Sequence, residues 1–273
     1  MPLVEATLRG ISSTLLTYGG DNSGKTYSLF GGEKDHEKGI ILRALEQFIE
    51  QRGTCELSVS FYEVTSQDQL FDLLQKGRVG EVGVGGNLRG VSCVDLESVE
   101  QAQRLVKLAQ KNRTEPSHQI TSVEVVRKDL AAGEVIRSRL YLVDLASCCS
   151  NSGISRQLSL LESVIVSLGT SCFFDIKINN DLSGSSKSTH VTHVPFRQCR
   201  LTHALKLALC NRSNVALLCT IRPQNSYLGE TLASIRFASR AAKIPITKGI
   251  INTDPDPFLQ VSFKSSLFAS QRN

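Results

Sequence analysis

Residues 19–26 read Gly19-Gly20-Asp21-Asn22-Ser23-Gly24-Lys25-Thr26. They satisfy G-x-x-x-x-G-K-[ST] at every defined position. The glycines let backbone N–H groups turn inward around a phosphate at the start of a helix. Lys25 is the residue that reaches the β- and γ-phosphates, and Thr26 places its hydroxyl on Mg²⁺. A chance glycine turn is the competing reading, and the flanks argue against it. An apolar strand, 14–18, runs into the loop, and a helix carrying 25–29 leaves it. Asp21 is the oddity, a negative charge inside a loop built for anions. It either points to solvent or weakens binding.

Outward from the loop, the hydrophobic period alternates between helix and strand. Residues 40–51 place Ile41, Leu45, Phe48 and Ile49 on one helical stripe. Residues 57–64 alternate as a half-buried strand does. The Gly- and Val-rich stretch 77–90 reads as loop with short strands. A helix over 98–110 precedes strands at 120–127 and 135–143. The second strand runs Leu140-Tyr141-Leu142-Val143 into Asp144, a candidate Mg²⁺ partner at the end of a strand beside the loop. A helix over 154–168 carries Leu158, Leu161, Ile165 and Leu168 on one stripe. The low-complexity segment NNDLSGSSKS marks an inserted polar loop over 169–190. A helix at 201–209, a strand at 215–221 and a helix at 230–243 complete the domain. Strands alternating with helices predict a sheet covered on both faces.

The bulk numbers fit one such domain. The chain has 273 residues, 41% of them hydrophobic, enough for one substantial core. The net charge of +5 is a mild excess and identifies no partner by itself. The eight cysteines include no C-x-x-C pair and come after no signal peptide, so they read as reduced, small hydrophobes. No apolar run is long enough to span a membrane.

Seven segments, in order, resemble kinesin motor domains. YGGDNSGKTYSLFG at 18–31 resembles that family's P-loop, and GIILRALEQFIE at 39–50 resembles the next segment of the family's domain. VSFYEV with LFDLL, SHQI at 117–120, SRLYLVDLAS at 138–147, HVPFRQCRLTHAL at 193–205 and ETLASIRFASRAAKI at 230–244 complete the series. The resemblance implies a P-loop NTPase of α/β class with a mostly parallel or mixed twisted sheet and helices on both faces. It implies a motor domain over 1–244, a neck-linker-like segment at 245–252 and an irregular tail at 253–273. Six of the family's eight strands find counterparts. The first two, with an adenine-contacting Arg-Pro segment, would precede Met1, leaving an unpaired sheet edge. ATP or ADP with Mg²⁺ is the implied cofactor, held by residues 19–26, with Thr26 and, through water, Asp144 on the metal.

Four residues fall on the family's switch positions: Ser117, His118, Asp144 and Ser147. The pattern around them departs from the family. Glu115 and Pro116 stand where a serine and an arginine are usual, and Ser147 stands for the glycine that senses the γ-phosphate. Cys149 replaces the glutamate that pairs with the missing arginine. Because phosphoryl transfer depends on positioning and electrostatic stabilisation, these losses predict binding without efficient hydrolysis.

Microtubules are the implied partner, with His193, Arg197 and Arg200 on the contacting element. Residues 156–212 hold seven Lys/Arg against three Asp/Glu, nearly all of the chain's excess. Arg197 and Arg200, three apart at the start of a helix, are predicted to share one face. Few aromatics interleave with these charges, so nucleic acid ranks low as a partner. A cytoplasmic, cytoskeletal location is implied by the resemblance, and any dimer would form through regions outside this sequence. Three functions compete: an ATP-driven motor, a non-motile nucleotide-binding microtubule adaptor, and an inactive interaction fragment.

Overall fold

A computed structural model describes residues 1–32, 34, 36–129, 134–147, 151–170, 194–209 and 213–244. The neck-linker-like segment, the tail, His193, Cys149 and nearly all of the inserted loop lie outside these residues. The described part of that loop is a correction: the helix before it continues through Gly169 to Thr170.

The strand leading into the glycine loop, β1 (Ser13–Gly19), lies between two parallel neighbours, β8 (Glu134–Asp144) and β9 (Asn214–Thr220). β8 pairs antiparallel with β7 (Ser117–Asp129), and β7 with β2 (Glu56–Thr65). Short strands extend the sheet past β2: β3 (Leu70–Asp72), β4 (Val79–Val82) and β5 (Leu88–Arg89), in the order β5-β4-β3-β2-β7-β8-β1-β9. β6 (Val94–Asp95) pairs with β2 off this path. Among the described residues the sheet has nine strands where six have counterparts in the family resemblance; β4 and β5 fall in the 77–90 stretch read as loop with short strands, whereas β3 and β6, of three and two residues, carry too short an alternation to register as a period. The sheet is mixed, and among the described residues its parallel pairings are the two made by β1. At its far end β9 is half-exposed along its length, as a strand with one neighbour must be.

Alternation along the strands feeds two cores. Leu15, Leu57, Val59, Phe61, Val123, Val125, Leu140 and Leu142 point to one face. There they pack on α2 (Lys25–Phe30), α3 (Ile40–Gln51) and α4 (Val99–Asn112). Leu16, Tyr62, Val64, Ile120, Tyr141 and Val143 point to the other, against α5 (Ser152–Thr170), α6 (Arg200–Ala204), α7 (Lys206–Leu209) and α8 (Leu228–Ala241). The α3 stripe is buried as its period predicts, with Ile41, Leu45 and Phe48 inaccessible. Tyr18 of β1 stacks on Phe237 of α8 at 3.9 Å, fixing that helix over the loop-bearing strand.

The sequence period gives no sign of α1 (Pro2–Leu8), a single short helix whose cap residue Met1 makes no side-chain cap. Tertiary contact holds it, because Ser138 Oγ donates to the Thr7 carbonyl at 2.6 Å. The helix predicted over 201–209 is two pieces, α6 and α7, broken at Leu205.

Register then places the site. Thr17 of β1 lies beside Asp144 of β8, and Asp144 lies beside Gln119 of β7. The C-terminal ends of β1 and β8 and the N-terminal end of β7 thus meet at one end of the sheet, where crevices form in open α/β sheets.

Candidate nucleotide site

The loop 19–26 wraps tightly. Gly24 has φ 98°, a left-handed conformation that caps α2 and that glycine adopts without steric penalty. Gly20 is constrained by space: an added Cβ would collide with the Glu230 carboxylate. Ser23 Oγ donates to the Gly20 carbonyl at 2.8 Å and pairs with the Thr220 hydroxyl at 2.7 Å, pinning the loop to β9. Lys25 is buried, and its Nζ donates to the Gly19 and Gly20 carbonyls at 2.9 and 2.5 Å. Asp21 is exposed, at the rim of a cavity of about 380 Å³ that Lys25, Thr26 and Ser147 also line.

Asp144 is the hub beneath that cavity. It is 1% exposed, yet each carboxylate oxygen is satisfied. Thr17 donates to Oδ1 at 3.2 Å and Thr26 to Oδ2 at 2.7 Å, so the two residues assigned to the metal do come together. A hydroxyl and a carboxylate are the hard oxygen donors Mg²⁺ takes, in the small number it needs while keeping its waters. Oδ2 also accepts from Arg113 Nη1 at 2.8 Å, in an ion pair no sequence motif marks.

The segment 113–118 is anchored from below by another buried carboxylate. Glu63 Oε2 accepts from Ser117 Oγ at 2.7 Å and from the Thr114 N–H at 2.9 Å. Glu115 and Pro116 line the cavity at this point, joined by a cis peptide bond. His118 links the segment to the strand end opposite: its Nδ1 accepts from the Ala146 N–H at 3.1 Å. All four switch-position residues, Ser117, His118, Asp144 and Ser147, are therefore buried around one end of the sheet.

His118 carries a pH signature. Burial pushes its pKa from the ordinary 6.5 down to about 3; the neighbouring Arg113 charge acts the same way, and the Gln157 side chain opposes both. The unfolded chain takes up this proton near pH 6.5 and the folded chain only near pH 3. Stability is thus full above pH 6.5 and falls as pH drops through that window, because the unfolded state binds the extra proton. Between about pH 7.5 and about pH 5.0 the wild type should lose about 2 kcal/mol more than His118→Gln in denaturant titrations. Equal losses in the two proteins would remove His118 as the source.

The basic element sits elsewhere on the surface. Arg197 is exposed in a 3₁₀ turn, Phe196–Gln198, and Arg200 opens α6. The two do not share one helical face, because Cys199 between them is extended (φ −151°, ψ 166°) and interrupts the helix. They are still fixed relative to one another, since Thr202 Oγ1 of α6 donates to the Phe196 carbonyl at 2.7 Å. The Arg200 N–H donates to the Asp68 carboxylate at 2.9 and 3.2 Å, so Asp68 serves the first free donor of α6.

Arg113, Glu63 and Asp68 escape sequence reading because their partners lie 31, 54 and 132 residues away. The one signal available was a charged Glu63 in the apolar end of its strand, between Tyr62 and Val64. Among the described residues no cluster of three or more His, Cys, Asp or Glu could hold a metal, and no helix is long and apolar enough to cross a membrane.

Comparison with known proteins agrees with this geometry. The family model for the kinesin motor domain matches residues 1–244. The human kinesin-like protein KIF9 is 31% identical over 295 residues, covering 93% of this chain and 35% of its own length. The chromosome-associated kinesin KIF4 of Xenopus laevis is 30% identical, over 93% of this chain and 23% of its own. Klp68D of Drosophila pseudoobscura pseudoobscura is also 30% identical, over 93% and 33%. The chain thus spans about a third or less of the length of these relatives. With the loop, Asp144 and the Ser117–His118 pair gathered at one sheet end, and with the match running unbroken to residue 244, the chain belongs to the kinesin motor domain family.

Proposed function

We propose that this chain binds ATP or ADP in the cavity over Asp144 and binds microtubules through the surface carrying Arg197 and Arg200, with slow hydrolysis. The carrying observation is the convergence of Lys25, Thr26, Asp144 and Ser147 on one cavity of about 380 Å³. Lys25 and the loop N–H groups supply the positive field a polyphosphate needs. Thr26 and, through water, Asp144 would hold Mg²⁺, which when bound neutralises phosphate charge. ATP turnover measured with and without microtubules, beside nucleotide binding, tests the reading directly.

A second reading, a non-motile nucleotide-binding microtubule adaptor, is favoured by Pro116 and Glu115. Neither can donate a hydrogen bond from a guanidinium to close the site, and Glu115 adds negative charge beside the phosphates' place. The microtubule surface is acidic, so binding through arginines should weaken as salt rises. Arg197→Ala with Arg200→Ala should weaken co-sedimentation with microtubules by about 2 kcal/mol or more, the scale of interface hot spots. Nucleotide affinity should be unchanged in that variant. A wild-type chain that fails to pellet with microtubules at low salt would leave only the inactive-fragment reading.

A further inference from the structure

Arg113 is a largely covered cation in a place where the sequence leads one to look only for a metal. It is the residue at which α4 ends, and its backbone (φ −60°, ψ 138°) turns the chain down toward the cavity. Both neighbours are tied in place: Asn112 Nδ2 donates to the Leu73 carbonyl at 2.8 Å, and the Thr114 N–H donates to Glu63. The side chain is 10% exposed. Nη1 reaches Asp144 Oδ2 at 2.8 Å, and Nη2 donates to the Ser117 carbonyl at 3.0 Å. Two of the guanidinium's five N–H groups are thereby used. Nε has no hydrogen-bond partner among the described residues, and Glu115 Oε1 is 3.8 Å from it.

We propose that Arg113 is a resident cation of the phosphate pocket, supplying beside Thr26 and Asp144 the positive charge that makes nucleotide retention largely independent of divalent metal. This rests on the nucleotide-binding reading above and goes beyond it. The carboxylate oxygen that accepts from Thr26 also accepts from Arg113, so a hydrated cation seeking Asp144 competes with a guanidinium already bound there through Nη1 and held in place by the Ser117 carbonyl through Nη2. Displacing that guanidinium from a nearly buried partner would leave the carboxylate uncompensated, which is strongly unfavourable. Meanwhile Lys25 and Arg113 both line the cavity, so a polyphosphate entering it meets an ammonium and a guanidinium in fixed positions, beside the exposed carboxylates of Asp21 and Glu115.

The test measures ADP affinity for the full chain by displacement of a fluorescent ADP analogue, in excess MgCl₂ and in excess EDTA. For the wild type the ratio of the two dissociation constants should stay within about threefold. For Arg113→Gln, which keeps a planar donor without the charge, the ratio should rise at least about tenfold above the wild-type value. Arg113→Lys restores the charge and should return most of the EDTA affinity, guarding against a variant that simply misfolds. A wild-type chain that loses nucleotide about tenfold or more in EDTA overturns the proposal, and so does an Arg113→Gln ratio equal to wild type. Absence of binding in both buffers overturns the nucleotide reading itself, a distinguishable result.

Discussion

Lys25→Ala should abolish nucleotide binding, raising the dissociation constant at least about 100-fold, because charge-assisted hydrogen bonds to phosphate contribute roughly 1.5–3 kcal/mol each. In the structure the Lys25 ammonium is buried and satisfied by the Gly19 and Gly20 carbonyls. Those neutral acceptors are weaker partners than a doubly charged phosphate, so the lysine can exchange them for a ligand. Alanine leaves the backbone N–H groups of the loop in place but removes the charge that reaches past them. Isothermal titration with ADP reads the effect, and a melting curve checks that the variant folds. Equal affinity for variant and wild type would sink the assignment of residues 19–26 as a phosphate site.

The second large effect concerns turnover. Microtubule-stimulated hydrolysis should fall about 10³-fold or more below the roughly 1–10³ s⁻¹ usual for enzymes. Proline at 116 cannot donate to a phosphate or pair with an acid. Glu115 and Asp21 both line the cavity and set negative charge against a transition state whose equatorial oxygens are negative. What survives is positional: Ser117 held by Glu63, His118 held by Ala146, Asp144 held by Thr17 and Thr26. Such a scaffold can keep a nucleotide without hastening its cleavage. Phosphate release at saturating microtubules measures this, and a turnover number within the usual range would show the site to be competent. The paired restoration Pro116→Arg with Cys149→Glu should raise the rate more than either change alone, since the resemblance assigns those positions to one salt bridge.

These two effects lie at opposite ends of what the chain spells out locally. Residues 19–26 were legible because their chemistry is contiguous. The turn, the cap of α2 and the lysine are fixed by local backbone requirements, and Gly24 at φ 98° is the conformation the motif implies. Asp144 was legible as the end of an apolar strand, and α3 as an uninterrupted stripe. Ser117 and His118 were legible by resemblance, though not what holds them.

The class of sheet, the turn at 19–26 and the resemblance to the family's switch positions could be read from the sequence, since each is written in a run of neighbouring residues. What those residues face came from the packing of the elements. It brought Arg113 to Asp144 and Glu63 to Ser117 across 31 and 54 residues. It ended the helix between Arg197 and Arg200 with an extended Cys199, and it gave α1 a reason to exist in the Ser138 hydroxyl. The physical reason is common to all four. A local period reports which face of an element is apolar, whereas a buried charge or a frayed helix end is satisfied by whichever polar group the strand register delivers to it.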